Sequence, residues 1–270
     1  MVLPVHDANP TRRTPVVTYL LIAVNVVAFL LSPVATHVLG GSQAAAQCRQ
    51  VAFFDKYAAE PDEVLTNRQQ PTGATGAVGR DPQTGQVGCV EQRPAPFSKV
   101  PALSVLTAMF LHGGWLHLLG NMLFLFVFGN NVEDRLGRLR YLAFYPGCGY
   151  VATYGFSLFD PSSTSPLIGA SGAIAGVLGA YLVLFPRAKV WSLLTFFFFL
   201  PVRLPAWLVL GSWFLLQYVY FRGAGLADGS GVAYGAHVVG FVVGALLVIP
   251  LRGSGRQQAL RPRFGPYAQR

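Results

Sequence analysis

Long apolar stretches recur throughout this chain, at 16–31, 103–130, 139–159, 171–185, 205–221 and 233–249. Stretches of that length with so little charge leave few options: each is either a core helix or a bilayer-crossing one. Six of them cannot all be hidden inside a soluble domain of 270 residues with only 11% charged side chains. The natural solvent is therefore a bilayer. In hydrocarbon every backbone polar group must be paired within its own segment, so each run is predicted to be a helix. The sequence predicts an all-α membrane protein with six transmembrane helices.

Between the first and second runs lies a segment of another kind, 32–100, with six acidic and six basic residues and a Pro/Gly/Gln/Thr-rich second half. Nothing in it can span. Residues 51–65 read as a short amphipathic helix and the second half as flexible, so the segment is expected to be a long external loop. Arg12 and Arg13 before the first run also fit a signal peptide, but no small-residue cleavage site follows directly, and a retained helix is the better reading. The 190–200 segment is too short to cross, and Pro201 and Pro205 bracket Arg203, which suggests an interfacial or re-entrant lead-in to the fifth helix.

The net charge of +9 is not gathered into one basic module, so nucleic acid is not an expected partner. Lys and Arg instead mark topology. The N-terminal tail, the 131–140 turn, the 186–203 connection and the C-terminal tail carry 2, 3, 3 and 5 of them, against one at Arg222 and none in 160–168 on the other side. By the positive-inside rule both termini face the cytoplasm, with 1–14 and 252–270 as cytoplasmic tails. The long loop is then exported, and its two cysteines, Cys48 and Cys89, are candidates for a disulfide, while Cys148 lies in the third helix. No close metal-ligand spacing is present, and no metal or cofactor is expected.

With this topology the second, fourth and sixth helices all run inward, ending near Glu133, Pro186 and Pro250. His117, Ser171 and His237 precede those markers by 16, 15 and 13 residues. At ~1.5 Å per residue they lie roughly 24, 22 and 20 Å above the inner boundary, a common depth below the outer surface. Asn121 shares the face of His117, one turn deeper. Ser171 on its own would be read as a helix cap. A histidine at its own depth could instead accept its proton and make it a nucleophile. Gly172 and Gly176 on one helix, and Gly240 and Gly244 on another, are spaced for close helix contact. A leucine at Gly240 should therefore separate Ser171 from His237, and an alanine should be milder. No acidic residue lies within a span, so the expected unit is a Ser–His dyad, not a triad.

Gly169-Ala170-Ser171-Gly172, His117-x-x-x-Asn121 and Ala236-His237-x-x-Gly240-x-x-x-Gly244, in this order on separate spans, resemble the rhomboid family of intramembrane serine proteases. The resemblance covers about 100–251, and 14–31 also resembles the family's first helix. It implies a six-helix rhomboid bundle over 15–251 that cuts single-span transmembrane proteins near the outer face. It also implies Ser171 as nucleophile and His237 as base, with His117, Asn121 and the Ser171 N–H binding the oxyanion. A bacterial plasma membrane is the expected location. The chain departs from many relatives in having Ala175 where an aromatic ring often stacks on the histidine. It has Leu103-Ser104 where a Trp-Arg pair is common, and its first loop is much longer. The competing readings are a catalytically silent relative that binds membrane clients, and a transporter. The first should lack Ser171 or His237, and the second should show repeated halves or paired helix breaks.

Overall fold

Helix α8, Ser171–Leu184, is the axis of the molecule. Every residue from Ala173 to Tyr181 is buried, so the helix is enclosed on all sides and has no lipid-facing stripe. A computed structural model describes residues 2–36, 42–80, 85–195, 199–223 and 232–251, and the basic tail at 252–270 lies outside them. Around α8 stand α6 (Trp115–Leu136), α7 (Arg138–Ser157), α9 (Ala206–Gly223) and α10 (Tyr234–Val248), with α1 (Val16–Leu30) packed outside α6. By length and apolarity the α6 segment and the 234–251 segment are long enough to cross a membrane, whereas α1 and α8 are apolar but shorter. With 14 residues α8 is only roughly 21 Å long.

The closest packing is between α8 and α10. A Cβ on Gly240 would land on the carbonyl oxygen of Gly172, and one on Gly244 on that of Gly176. The two backbones touch directly, and Ala152 of α7 fills the remaining corner beside Gly172 and Gly240. The expectation that alanine at Gly240 would be mild is thereby corrected, because the obstacle is a main-chain oxygen rather than a side chain that can turn away.

The end of the bundle away from Ser171 is less helical than the sequence suggests. Strand β1, Val2–Asp7, pairs antiparallel with β4 (Lys189–Leu194), which pairs in turn with β5 (Leu200–Pro205). Residues 2–7 of the expected N-terminal tail are thus a sheet strand, and residues 190–194, expected in an interfacial or re-entrant lead-in, lie in a strand paired on both sides. Asp7 anchors this sheet to the bundle, accepting hydrogen bonds from the Asn131 amide (2.7 Å) and the Tyr181 hydroxyl. Helix α1 brings no capping side chain of its own. Glu133 of α6 supplies the cap, accepting from the N–H groups of Val17 (3.0 Å) and Thr18 (2.7 Å) and from the Thr18 hydroxyl (2.8 Å).

The described residues of the 32–100 segment carry regular structure, which corrects the flexible second half read from its composition. After the short α2 (Pro33–Thr36), Ser42 caps α3 (Gln43–Tyr57), and α4 (Pro61–Thr66) follows a break at Ala58–Glu60. Strands β2 (Gly73–Arg80) and β3 (Val87–Gln92) form an antiparallel hairpin laid on α3. Cys48 of α3 and Cys89 of β3 are joined as a disulfide, and Cys148 is free and buried. Beneath the hairpin the Lys99 ammonium is buried between Glu63 and Glu60 (3.2 Å to Glu60) and also donates to the Asp55 carbonyl at 2.9 Å. The carboxyl of Glu60 is pushed up to about 7 by its burial, with Lys99 opposing the shift.

This insert grips the bundle next to Ser171. Ala59 and Leu167 exchange backbone hydrogen bonds (3.3 and 2.7 Å), the Asp62 N–H reaches the Ser163 carbonyl (3.1 Å), and the Thr107 hydroxyl donates to the Tyr57 carbonyl (2.6 Å). Thr107 belongs to α5, Pro101–Ala108, which precedes α6. Phe54 and Ala58 pack on Leu111 and Ile168.

Candidate active site

The turn leading into α8 is shaped by Gly169, whose φ of +115° is poorly tolerated by side-chain-bearing residues. A Cβ there would also sit 2.7 Å from His117 Nε2, and its own N–H donates to the Ala108 carbonyl at 2.9 Å. Both requirements select glycine. Ala170 follows, and the first full turn of α8 closes with the Ile174 N–H on its carbonyl. Ser171 therefore stands at the opening residue of the helix. Its N–H is among the first few, which have no acceptor within the helix and lie at the positive end of the dipole.

The Ser171 hydroxyl lies 2.7 Å from His237 Nε2. This contact depends on the glycine seam, which brings α10 close enough for two short side chains to meet. The other ring nitrogen, Nδ1, is 2.8 Å from the Oε1 of Gln217 on α9. Trp213, one turn before Gln217, sets its ring 5.9 Å from that of His237 at 33°, and Tyr234 meets the same ring edge-on at 6.3 Å. The ring support that Ala175 cannot give thus comes from α9 and from the first turn of α10.

On the far side of Gly169 stand the other two predicted residues. His117 Nδ1 receives a long hydrogen bond from the Gly113 N–H (3.4 Å), which leaves Nε2 carrying the proton and facing Gly169. Asn121 is nearly buried, and its Nδ2 has no hydrogen-bond partner among the described residues. A buried amide donor without an acceptor is costly unless something arrives to take it up. Both donors flank the turn that carries Ser171. The structure thus brings Ser171, His237, His117 and Asn121 to one locality, with Gly172, Gly176, Gly240 and Gly244 setting the helix spacing. Cys48 and Cys89 lie in the insert. Among the described residues no cluster of three or more metal-ligating side chains occurs.

Sequence reasoning missed Gln217, Trp213 and the Ala59–Leu167 bridge. Gln217 did leave a signal, being a lone amide in an otherwise apolar stretch, but a search confined to acids for a third member passes over it. His112 was also missed. It is buried and packs edge-on to His117 with ring centroids 5.1 Å apart.

A hydroxyl and an imidazole hydrogen-bonded between apolar helices define a helical-bundle protein with a polar site among its helices. The Rhomboid domain matches residues 101–254, more than half of the chain, and the protein belongs to the rhomboid family. It is 33% identical to mitochondrial Rhomboid protein 1 of Saccharomyces cerevisiae over 150 residues, which are 53% of this chain and 40% of that one. It is 32% identical to RHOMBOID-like protein 1 of Arabidopsis thaliana over 170 residues (62% and 37%). Against RHOMBOID-like protein 6, mitochondrial, of the same plant it is 34% identical over 106 residues (37% and 34%). The chain spans about two fifths or less of the length of these relatives. The domain match establishes membership of a membrane-integral family, and these eukaryotic relatives give no support to a bacterial plasma membrane in particular.

Proposed function

We propose that this protein is an intramembrane serine endopeptidase that cleaves single-span membrane proteins near the outer face of a bilayer. The observation that carries the proposal is the 2.7 Å contact between the Ser171 hydroxyl and His237 Nε2. In this reading α1 and α6 to α10 are six membrane-crossing helices with both termini inside, and the insert sits outside above the site. The partners are lipid and the substrate helix, with no role for nucleic acid.

The reaction follows from the geometry. Ser171 Oγ attacks the carbonyl carbon of the scissile peptide while its proton passes to His237 Nε2. The carbonyl oxygen becomes an oxyanion, and His117 Nε2–H, Asn121 Nδ2 and the Ser171 N–H are the donors suited to hold it. The imidazolium then gives the proton to the departing amine, the C–N bond breaks, and an ester on Ser171 remains. Water attacks the ester with His237 again taking a proton, releasing the carboxylic acid product and restoring the hydroxyl.

Retention of both Ser171 and His237 in hydrogen-bonding geometry favours this reading over a silent client-binding relative. The test uses purified protein in proteoliposomes with a single-span reporter substrate. Ser171→Ala should abolish cleavage and fluorophosphonate labelling while the melting transition is kept. Undiminished cleavage by Ser171→Ala would refute the assignment.

A further inference from the structure

We infer that Gln217 is the positioning residue for His237, making the site a Ser171–His237–Gln217 relay with a neutral third member. The inference rests on the protease reading and adds to it the group that fixes the base. For Ser171 to be activated, His237 Nε2 must be the unprotonated acceptor of the hydroxyl, so the ring proton must reside on Nδ1. An imidazole left to itself exchanges between two tautomers and can also turn about its side-chain bonds. An acceptor at Nδ1 removes both freedoms. The Gln217 carbonyl oxygen stands 2.8 Å from Nδ1, and this amide is 7% exposed beside a histidine that is 9% exposed.

The placement is built into α9. Val209, Trp213 and Gln217 are spaced at four-residue steps and lie on one ridge of the helix. Val209 is buried, Trp213 meets the flank of the His237 ring, and Gln217 reaches its edge. One ridge thus limits both the tilt and the spin of the imidazole. A buried glutamine merely seeking any partner in the bundle would have no reason to meet the one ring nitrogen that faces away from Ser171. The choice of residue also follows from the surroundings. A carboxylate at this depth would carry a large desolvation penalty, whereas an amide carbonyl accepts the same hydrogen bond without charge.

The test compares Gln217→Met, which keeps the length and loses the acceptor, with Gln217→Glu, which keeps an acceptor oxygen. Both are assayed on the reporter substrate in proteoliposomes beside wild type and Ser171→Ala. For Gln217→Met the inference expects kcat to fall about ten- to a hundredfold with KM near the wild-type value. Gln217→Glu, held as the neutral acid at this depth and still offering a carbonyl oxygen to Nδ1–H, should recover most of that loss. In protein labelled with ¹⁵N-histidine, the His237 resonances, assigned by their absence from His237→Asn, should report the Nδ1–H tautomer in wild type. In Gln217→Met they should report a tautomer mixture. Full kcat in Gln217→Met overturns the inference, as does an equal loss in both variants with an unchanged tautomer signal. If Gln217→Met fails to fold, an Nε2–H tautomer in the wild-type spectrum overturns it alone. The two levels separate cleanly: an active Ser171→Ala refutes the protease reading. An inactive Ser171→Ala beside a fully active Gln217→Met refutes only the role of Gln217.

Discussion

Adding a single methyl at Gly240 should disable the site without touching any reacting atom. The built Cβ falls on the Gly172 carbonyl oxygen, so α8 and α10 must part by about 1 Å before carbon and oxygen reach an ordinary contact distance. Neither partner can yield by rotating a side chain, and Ala152 already fills the space beside them. The same displacement acts on the 2.7 Å contact between Ser171 and His237, taking it beyond the range of a sound hydrogen bond. Gly240→Ala should therefore lose about a hundredfold in kcat from misplacement, together with about 1–3 kcal/mol of stability from overpacking. Gly211 on α9 provides the control, because a Cβ there meets nothing within 4 Å. Gly211→Ala should keep full activity and gain slightly from better helix propensity. The assay is turnover per folded molecule in proteoliposomes, with the folded fraction taken from thermal melting in detergent. Wild-type turnover in well-folded Gly240→Ala would show that the α8–α10 seam does not set the geometry of the pair.

Replacing His117 or Asn121 by Ala should lower kcat about 10²–10³-fold with little change in KM, since oxyanion donors act on the transition state. Michaelis analysis checks this, and turnover per folded molecule that stays normal while the melting temperature falls would assign them to packing alone. Replacing Cys48 and Cys89 together by Ser opens a closure of 41 residues and should destabilise the insert by up to about 4 kcal/mol. Tryptic nicking at Arg80 should then appear in the variant and be absent from wild type. The Glu60 carboxyl, ordinarily near 4.5, is raised to about 7 in the fold, so the folded insert retains a proton that the unfolded chain has released. The stability it contributes is full below pH 4.5 and is lost as pH rises through about 7. Urea unfolding of the insert should accordingly be easier at alkaline than at mildly acidic pH, and Glu60→Gln should flatten the dependence despite neighbouring Asp55, Glu63 and Lys99.

The reading of Ser171, His117 and His237 as neighbours needed only helix rise, inner-end markers and loop charge, because those quantities are local. The glycines at 172, 176, 240 and 244 were legible for the same reason, since four-residue spacing places them on one face. What escaped is non-local. Val2–Asp7 is an unremarkable hexapeptide until β4 lies beside it, and nothing near residue 2 announces Val190 or Leu194. The 73–92 hairpin was obscured by its own composition, with Gly73, Gly76, Gly79 and Gly88 diluting the alternation that marks a strand. Helix α3 mixes nine apolar with six polar residues, and the hairpin and the disulfide that lie against it come from residues far along the chain. Gln217 was visible as a residue, but its importance depends on the angle at which α9 meets α10.

The bridge between Ala59 and Leu167 bears on the order in which the catalytic turn is completed. Its two strands of backbone are more than a hundred residues apart, and neither can pair until the helices between them are packed. On the proposed topology one strand arrives from an exported, disulfide-closed subdomain and the other from the link between α7 and α8. On that topology the turn bearing Ser171 would gain this support only after both segments had been brought together. A newly made chain would thus pass through its own insertion with its nucleophile not yet braced from outside.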